Sequence, residues 1–271
     1  MWHIATLRKN VYFRFMDIRK RLMPLTYDTD ELELNLSVDC VIFTIQYRGL
    51  KVLLTKLVPE MKWMLPGGFM TKSENANEAA NRILNFRTGV ENIYLNQFQI
   101  FSDPERFTFS RAIQKVALSE KDSDIFEQLP ERVISIGYFA LVNFESIHPT
   151  GGVLEEESCW CDIDELPELE YDHKQIINEA LQALRKEVYF RPIVYKLLPE
   201  KFTLPELQSL YEVILGKSLD RGSFQRKMLR WDIFERLEER RGGVAHKRPF
   251  LYRFDHKKYQ GAIEKGLSFG M

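Results

Sequence analysis

Cysteine is scarce in this chain: three in 271 residues, Cys40, Cys159 and Cys161. An odd count, with two of the three in a Cys-Trp-Cys alternation, makes neither a disulfide framework nor a zinc-ligand set. In a strand Cys159 and Cys161 face one side and Trp160 the other. Small buried hydrophobes in a reducing cytoplasm are the expectation. Long apolar runs are also missing, so no segment is expected to span a bilayer and no membrane partner is expected. The first stretch, MWHIATLRKNVYFRFMDIRKRLMP, lacks a continuous apolar core and a small-residue cleavage site, which argues against a signal peptide. Residues 1–33 are expected to form a basic extension, with Met16 and Met23 as alternative starts. Internal repeats and low-complexity tracts are absent. Net charge is nearly absent as well, at −1, but it is unevenly placed. From Arg191 to Gln260 there are 16 Lys and Arg against 9 Asp and Glu; the remainder holds 22 basic and 30 acidic residues. A near-neutral total hides an acidic body and a basic C-terminal part, an asymmetry that hints at nucleic acid.

What is present is a soluble, globular composition, 45% apolar and 28% charged, long enough for one large or two ordinary domains. Leu34 to Ile45 reads as a strand that becomes buried. Arg48-Gly49 reads as a hairpin-like turn, and Lys51 to Leu57 as the returning strand. A loop beginning at Pro66-Gly67-Gly68 leads into a helix near Asn75 to Arg87, with Ala76, Ala79, Ala80, Ile83 and Leu84 on one apolar face. Asn96 to Phe101 is a short strand. Residues 102–129 form a polar excursion whose Arg106 and Arg111 read as surface arginines before they read as ligand contacts. Arg132 to Phe144 is the most convincing strand, Gly151-Gly152 a loop, Ser158 to Cys161 another strand, and Tyr171 to Phe190 a helix with Ile176, Ile177, Ala180, Leu181 and Leu184 in helical register.

After Pro192 the composition changes. Thr203-Leu204-Pro205-Glu206 is a capping box that opens a helix over Leu204 to Leu215. Gly216 to Leu219 is a short turn. Asp220 is a good N-cap for a second helix from Arg221 to about Trp231, with Phe224, Met228 and Leu229 expected inward. Helix, short turn with glycine and capped helix is helix-turn-helix spacing. Phe234 to Glu239 and Pro249 to Phe254, around Arg241-Gly242-Gly243, could pair as a hairpin, which would be a wing. The second helix offers Arg221, Ser223, Gln225, Arg226, Lys227 and Arg230. The hairpin adds Arg240, Arg241, His246, Lys247 and Arg248. In a winged helix such residues meet the major groove and the phosphates, arginine reading guanine and glutamine adenine. A solvated basic helix on a docking domain is the bland alternative; cap, turn length, apolar spacing, hairpin and local charge together favour DNA.

The stretch Gly67 to Val90, GGFMTKSENANEAANRILNFRTGV, resembles the Nudix box, the loop-helix-loop signature of hydrolases that cleave nucleoside diphosphates linked to another group. Gly68, Glu74, Arg82, Leu84, Gly89 and Val90 fall in register. Three acidic positions of the box do not: they hold Ile83, Phe86 and Arg87. Magnesium needs hard oxygen ligands. Phe86 offers none, and Arg87 brings a positive charge. Glu74 and Glu78 are spaced for structural ion pairs, so no metal, no cofactor and no catalytic residue is expected. With FTLPELQSLYE, DRGSFQRKM and PFLYRF following, residues 34–260 resemble the Nudix-related transcriptional regulators. That resemblance implies an α+β chain: a Nudix-like α/β/α sandwich over 34–190 that senses an effector and dimerises, a winged helix over 191–260, and a tail over 261–271. It further implies binding to a double-stranded operator as a homodimer. The broken box leans the effector towards a small sugar, with ADP-ribose as the alternative. Two other readings stay open: a Nudix hydrolase with an appended domain, and a protein-interaction module.

Overall fold

A computed structural model describes residues 32–56, 62–88, 95–106, 132–144, 157–242 and 248–264. The basic stretch before residue 32, Arg111 and most of the 102–129 excursion, Gly151-Gly152, and Gly89 with Val90 lie outside the described residues. So do Gly243, His246 and Lys247 of the wing.

β1 (Leu32–Gln46) is the hub of the N-terminal sheet. It begins inside what reads as an N-terminal extension. Val38, Cys40, Val41, Ile42 and Phe43 are all buried. Consecutive buried residues rather than an alternation mean that both faces of the strand are covered. β2 (Gly49–Lys56) returns from β1 through Tyr47 and Arg48, both at positive φ. Two left-handed central residues make the primed turn that matches strand twist, so the turn lies one residue earlier than the glycine suggests. β3 (Gly67–Thr71), β4 (Leu95–Phe101), β5 (Ile134–Leu141) and β6 (Glu157–Asp162) complete the sheet. The order is β4-β5-β1-β2-β6, and β3 pairs with β1 off that path. The sequence reads β3 as loop. Its two glycines have little intrinsic strand preference, but Val38 lies opposite Gly68 and Asp39 opposite Gly67. A Cβ on Gly67 would stand 2.6 Å from Asp39 Oδ1 and 2.9 Å from the Val38 carbonyl, so this pairing requires glycine.

α1 (Ala76–Thr88) follows β3. It buries Ala79, Ala80, Ile83 and Leu84, and the Cys40 thiol reaches the Ala80 carbonyl at 4.0 Å. α2 (His173–Phe190) carries a stripe of Ile176, Ile177, Ala180, Leu184 and Val188 at zero exposure. The expected buried hydrophobes Cys159 and Cys161 are instead only half-buried and bonded to each other. Period-two alternation on β6 puts both sulfurs on one face, which is what brings them together.

The chain divides into two compact units, and the second begins within α2 at Leu181, taking in Thr44–Lys51 and Leu141–Phe144 as well. Its C-terminal part holds a 3-10 turn (Ile193–Leu197), α3 (Leu204–Leu215), α4 (Arg221–Arg230), β7 (Phe234–Arg240), β8 (Phe250–Phe254) and α5 (His256–Glu264). α5 occupies residues read as the start of a tail. The core is aromatic: Tyr211 packs edge-on to Phe224 with centroids 5.3 Å apart, and Phe202 edge-on to Phe234 at 5.7 Å. Each such burial stabilises by about 1.5–3 kcal/mol. Phe202 also exchanges both backbone hydrogen bonds with Tyr252, adding a bridge beside the β7-β8 hairpin. No helix among the described residues is long and apolar enough to cross a membrane.

Candidate functional site

The box folds as a self-contained structural knot. Asn75 caps α1: its Oδ1 accepts from the Asn77 and Glu78 amides at 3.0 and 3.1 Å. Glu78 Oε2 reaches back to accept from the Asn75 amide at 2.8 Å, which is the reciprocal pattern of a capping box. Glu74 accepts from Arg82 Nε at 2.9 Å, from Arg82 Nη2 at 2.5 Å and from the Thr71 amide at 2.7 Å. The same Arg82 Nη2 donates to the Phe69 carbonyl at 3.0 Å. One guanidinium thus ties β3, the loop and α1. Burial works to raise the Glu74 pKa, but the hydrogen bonds from Arg82 and Thr71 and the Arg82 charge outweigh it and hold the carboxyl below its ordinary value.

This donor set does not fit a magnesium ion. Glu74 and Glu78 commit carboxylate oxygens to structure. Ile83 is buried and Phe86 is a half-exposed ring, and neither supplies oxygen. Arg87 lies within α1. Among the described residues no group of three or more His, Cys, Asp and Glu is arranged to hold a metal.

A second polar cluster lies deeper in the sheet and was not legible in the sequence. Arg106 is buried, not a surface arginine. It donates to Asp172 Oδ2 and Oδ1 at 2.9 and 3.0 Å, to Asp39 Oδ2 at 3.3 Å and to the Val133 carbonyl. Ser135 donates to the same Asp39 Oδ2 at 2.6 Å, and His173 Nδ1 accepts from the Leu65 amide at 3.0 Å. Burial lowers the His173 pKa against the opposing pull of Asp39, which suits a neutral ring acting as acceptor. Arg106 and Asp172 also line an open depression of about 420 Å³ with Gln99, Asp103, Glu105 and Gln175. These partners stand 66 and 67 residues from Arg106, beyond the reach of any local spacing rule.

In the C-terminal unit the helix-turn-helix is built by caps. Thr203 Oγ1 accepts from the Glu206 amide and Glu206 Oε2 from the Thr203 amide. Gly216 ends α3 in the left-handed region at φ 65°, where a Cβ is costly. Glu212 then clips the turn: its Oε1 accepts from the Leu219 amide at 2.8 Å and from Gln208 Nε2, which also donates to the Leu219 carbonyl. Asp220 Oδ1 accepts from the Ser223 amide at 2.8 Å and starts α4.

α4 buries Phe224 and Met228. At 100° per residue the opposite side carries Gly222, Ser223, Arg226, Leu229 and Arg230, and all five are exposed. Gln225 and Lys227 lie on the flanks, half-buried, and Arg221 is exposed in the first turn. Leu229, expected inward, is 45% exposed, because it stands about 120° from the buried pair on the helical wheel. Arg226 donates to Ser223 Oγ at 3.2 Å, and no α4 cation forms an ion pair among the described residues. The wing differs from expectation in one respect. Arg241 is bound to both oxygens of Glu206, at 2.5 and 2.7 Å, so it braces the α3 cap instead of standing free for DNA. Arg248 is exposed.

A capped helix-turn-helix followed by a two-stranded hairpin is a winged helix, and the sheet with its box helix is a Nudix domain; together they define a Nudix-related transcription regulator. The NUDIX domain profile matches residues 33–184, and that of the NrtR DNA-binding winged helix domain matches residues 194–254. The chain belongs to the Nudix family, in the group that carries an NrtR-type winged helix. It is 28% identical over 242 residues to the ADPR responsive transcriptional repressor NtrR of Acinetobacter baylyi, covering 86% of this chain and 87% of the relative. Two crystal structures of Shewanella oneidensis NrtR are similar. The one complexed with a 27mer DNA has 25% identity and a TM-score of 0.65, covering 84% of this chain and 96% of the other. The other has 26% identity and a TM-score of 0.63, covering 81% and 94%. A MutT/nudix family protein from Enterococcus faecalis, 22% identical with a TM-score of 0.58 over 81% of this chain and 86% of its own, shares the fold.

Proposed function

We propose that this protein is a transcriptional repressor that binds operator DNA as a homodimer and releases or tightens it in response to ADP-ribose. In this reading residues 34–190 sense the effector and residues 191–260 read DNA, while the box has no hydrolase activity. The observation that carries the reading is the outward face of α4, where Arg226 and Arg230 are exposed and form no salt bridge among the described residues. Cations left unpaired on a rigid, capped helix are the electrostatic footprint of a polyanion partner. The effector differs from the sugar first expected. A relative matching across most of both chains is named for its response to ADPR, and nothing favours a sugar. A degenerate box argues against cleavage; it does not argue against binding of the nucleotide.

An effector acts by its differential affinity for two states of the dimer. Titration of the purified full-length protein against duplex DNA from its own promoter region, with and without ADP-ribose, tests this. The expected result is salt-sensitive binding whose affinity changes with ADP-ribose and not with a free pentose. Magnesium-dependent turnover of ADP-ribose that is lost in Glu74→Gln would restore the hydrolase alternative. Sedimentation of a monomer at the concentrations that saturate DNA would remove the dimer.

A further inference from the structure

The wing holds a cation arrangement in which Arg240, already an expected DNA contact, is joined by Arg236 and Phe250, which the expected contacts do not include. On β7, Arg236 and Arg240 both stack on the ring of Phe250 from β8, with guanidinium carbons 3.5 and 3.8 Å from the ring centroid. At those distances each guanidinium is in van der Waals contact with the ring. One face of a single phenyl ring has no room for two at that height, so Phe250 lies between them. The strand register makes this possible. Arg240 is opposite Phe250 and Arg236 opposite Tyr252, so four residues of β7 span two of β8. The irregularity between them lets the ring enter between the two arginines.

The pairing of charges on the strand points the same way. Glu235 is taken by Arg253 at 2.7 Å and Glu239 by Lys201 at 2.8 Å. Arg236 and Arg240 have no carboxylate partner among the described residues. Arg240 makes one hydrogen bond, from Nη1 to the Arg248 carbonyl at 2.9 Å, which fixes its side chain and leaves its charge uncompensated. Both arginines are exposed. The result is two guanidiniums held in place before any ligand arrives, with most of their donors unengaged among the described residues.

Resting on the DNA-binding reading above, we propose that Arg236 and Arg240, spaced by Phe250, are a preformed clamp for the phosphodiester backbone of duplex DNA, and that Phe250 is its positioning residue. Guanidinium donors fit phosphate oxygens, and a pre-stacked arginine loses less rotamer freedom on binding than a free one. Contacts of this kind fix the protein on the duplex without reading sequence. The clamp therefore acts on every duplex, whatever α4 selects.

The test uses the full-length protein and a short mixed-sequence DNA duplex, with affinity measured across a salt series. The Arg236→Gln/Arg240→Gln double variant is expected to reduce the steepness of log K against log salt by about two, roughly one for each phosphate no longer neutralised. Phe250→Leu keeps both charges and removes the stacking; affinity should fall roughly threefold, the scale of one exposed cation–π interaction. Arg253→Gln, which removes a cation already paired to Glu235, should leave the slope unchanged. A wild-type protein that binds and a double variant with the same slope would overturn the clamp while leaving DNA binding intact. A wild-type protein that binds no duplex at all would overturn the DNA reading itself. Matched melting curves for the variants establish that the comparison is between folded proteins.

Discussion

Two helices of this chain carry much the same residue types to opposite ends. In α1 and the loop before it, the glutamates are engaged within the local fold. Glu74 is held by Arg82 and the Thr71 amide, and Glu78 by the Asn75 amide. In α4 only Asp220 at the cap is consumed, by the Ser223 amide. Arg226 and Arg230 remain exposed and form no salt bridge among the described residues. The first arrangement stabilises its own fold. The second adds little to its own fold and leaves charge for a partner. A motif match and a functional site are therefore separable: what counts is whether the side chains are already satisfied.

The largest expected effect is on the unsatisfied helix. Arg226→Ala/Arg230→Ala should weaken promoter binding by a hundredfold or more, on the scale of about 1–3 kcal/mol for each base or phosphate interaction removed. The melting temperature should barely move. A loss of stability with unchanged DNA affinity would invert the comparison. On the satisfied helix the effect should reverse in kind. Arg82→Ala leaves Glu74, whose side chain is only 11% exposed, without its cation, at a cost of roughly 2–3 kcal/mol in unfolding free energy. Denaturant titration reads that directly, and the salt slope of DNA binding by the folded protein should be unaltered. Thr203→Ala lies between the two: it removes the α3 cap that positions the turn into α4, costing about 1 kcal/mol, with a small loss of DNA affinity.

The smallest effect is one of pH. The folded pKa of Glu74 is lowered, so its ion pair contributes stability above the ordinary glutamate value of 4.5, and that contribution disappears as pH falls through the folded pKa. The stability gap between wild type and Glu74→Gln should be full near neutral pH and shrink below about pH 4.5. A gap constant with pH would mean that the carboxylate charge is not what holds β3 to α1.

How much of this could be read from residues alone divides along the same line as local and distant contacts. α3 and α4 are legible because caps and apolar spacing are written within four residues of each other: Thr203 with Glu206, Asp220 with Ser223, Phe224 with Met228. β3 was hidden because Gly67 and Gly68 read as a turn, and their reason for being glycine is Asp39, opposite them on β1. Arg106 looks like a loop arginine until Asp39 and Asp172 arrive from other elements. Arg241 looks free until Glu206 reaches it from 35 residues away. Leu229 is a different case, since its 45% exposure follows from the helical wheel once Phe224 and Met228 set the inward direction.

Effector-controlled binding to promoter DNA is the central claim. Fluorescence anisotropy of the full-length protein on a duplex from its own upstream region, titrated with ADP-ribose at fixed salt, is the most direct measurement. The prediction is tight binding whose midpoint moves at least severalfold with ADP-ribose. Binding indifferent to ADP-ribose, or no binding to that duplex, would contradict it.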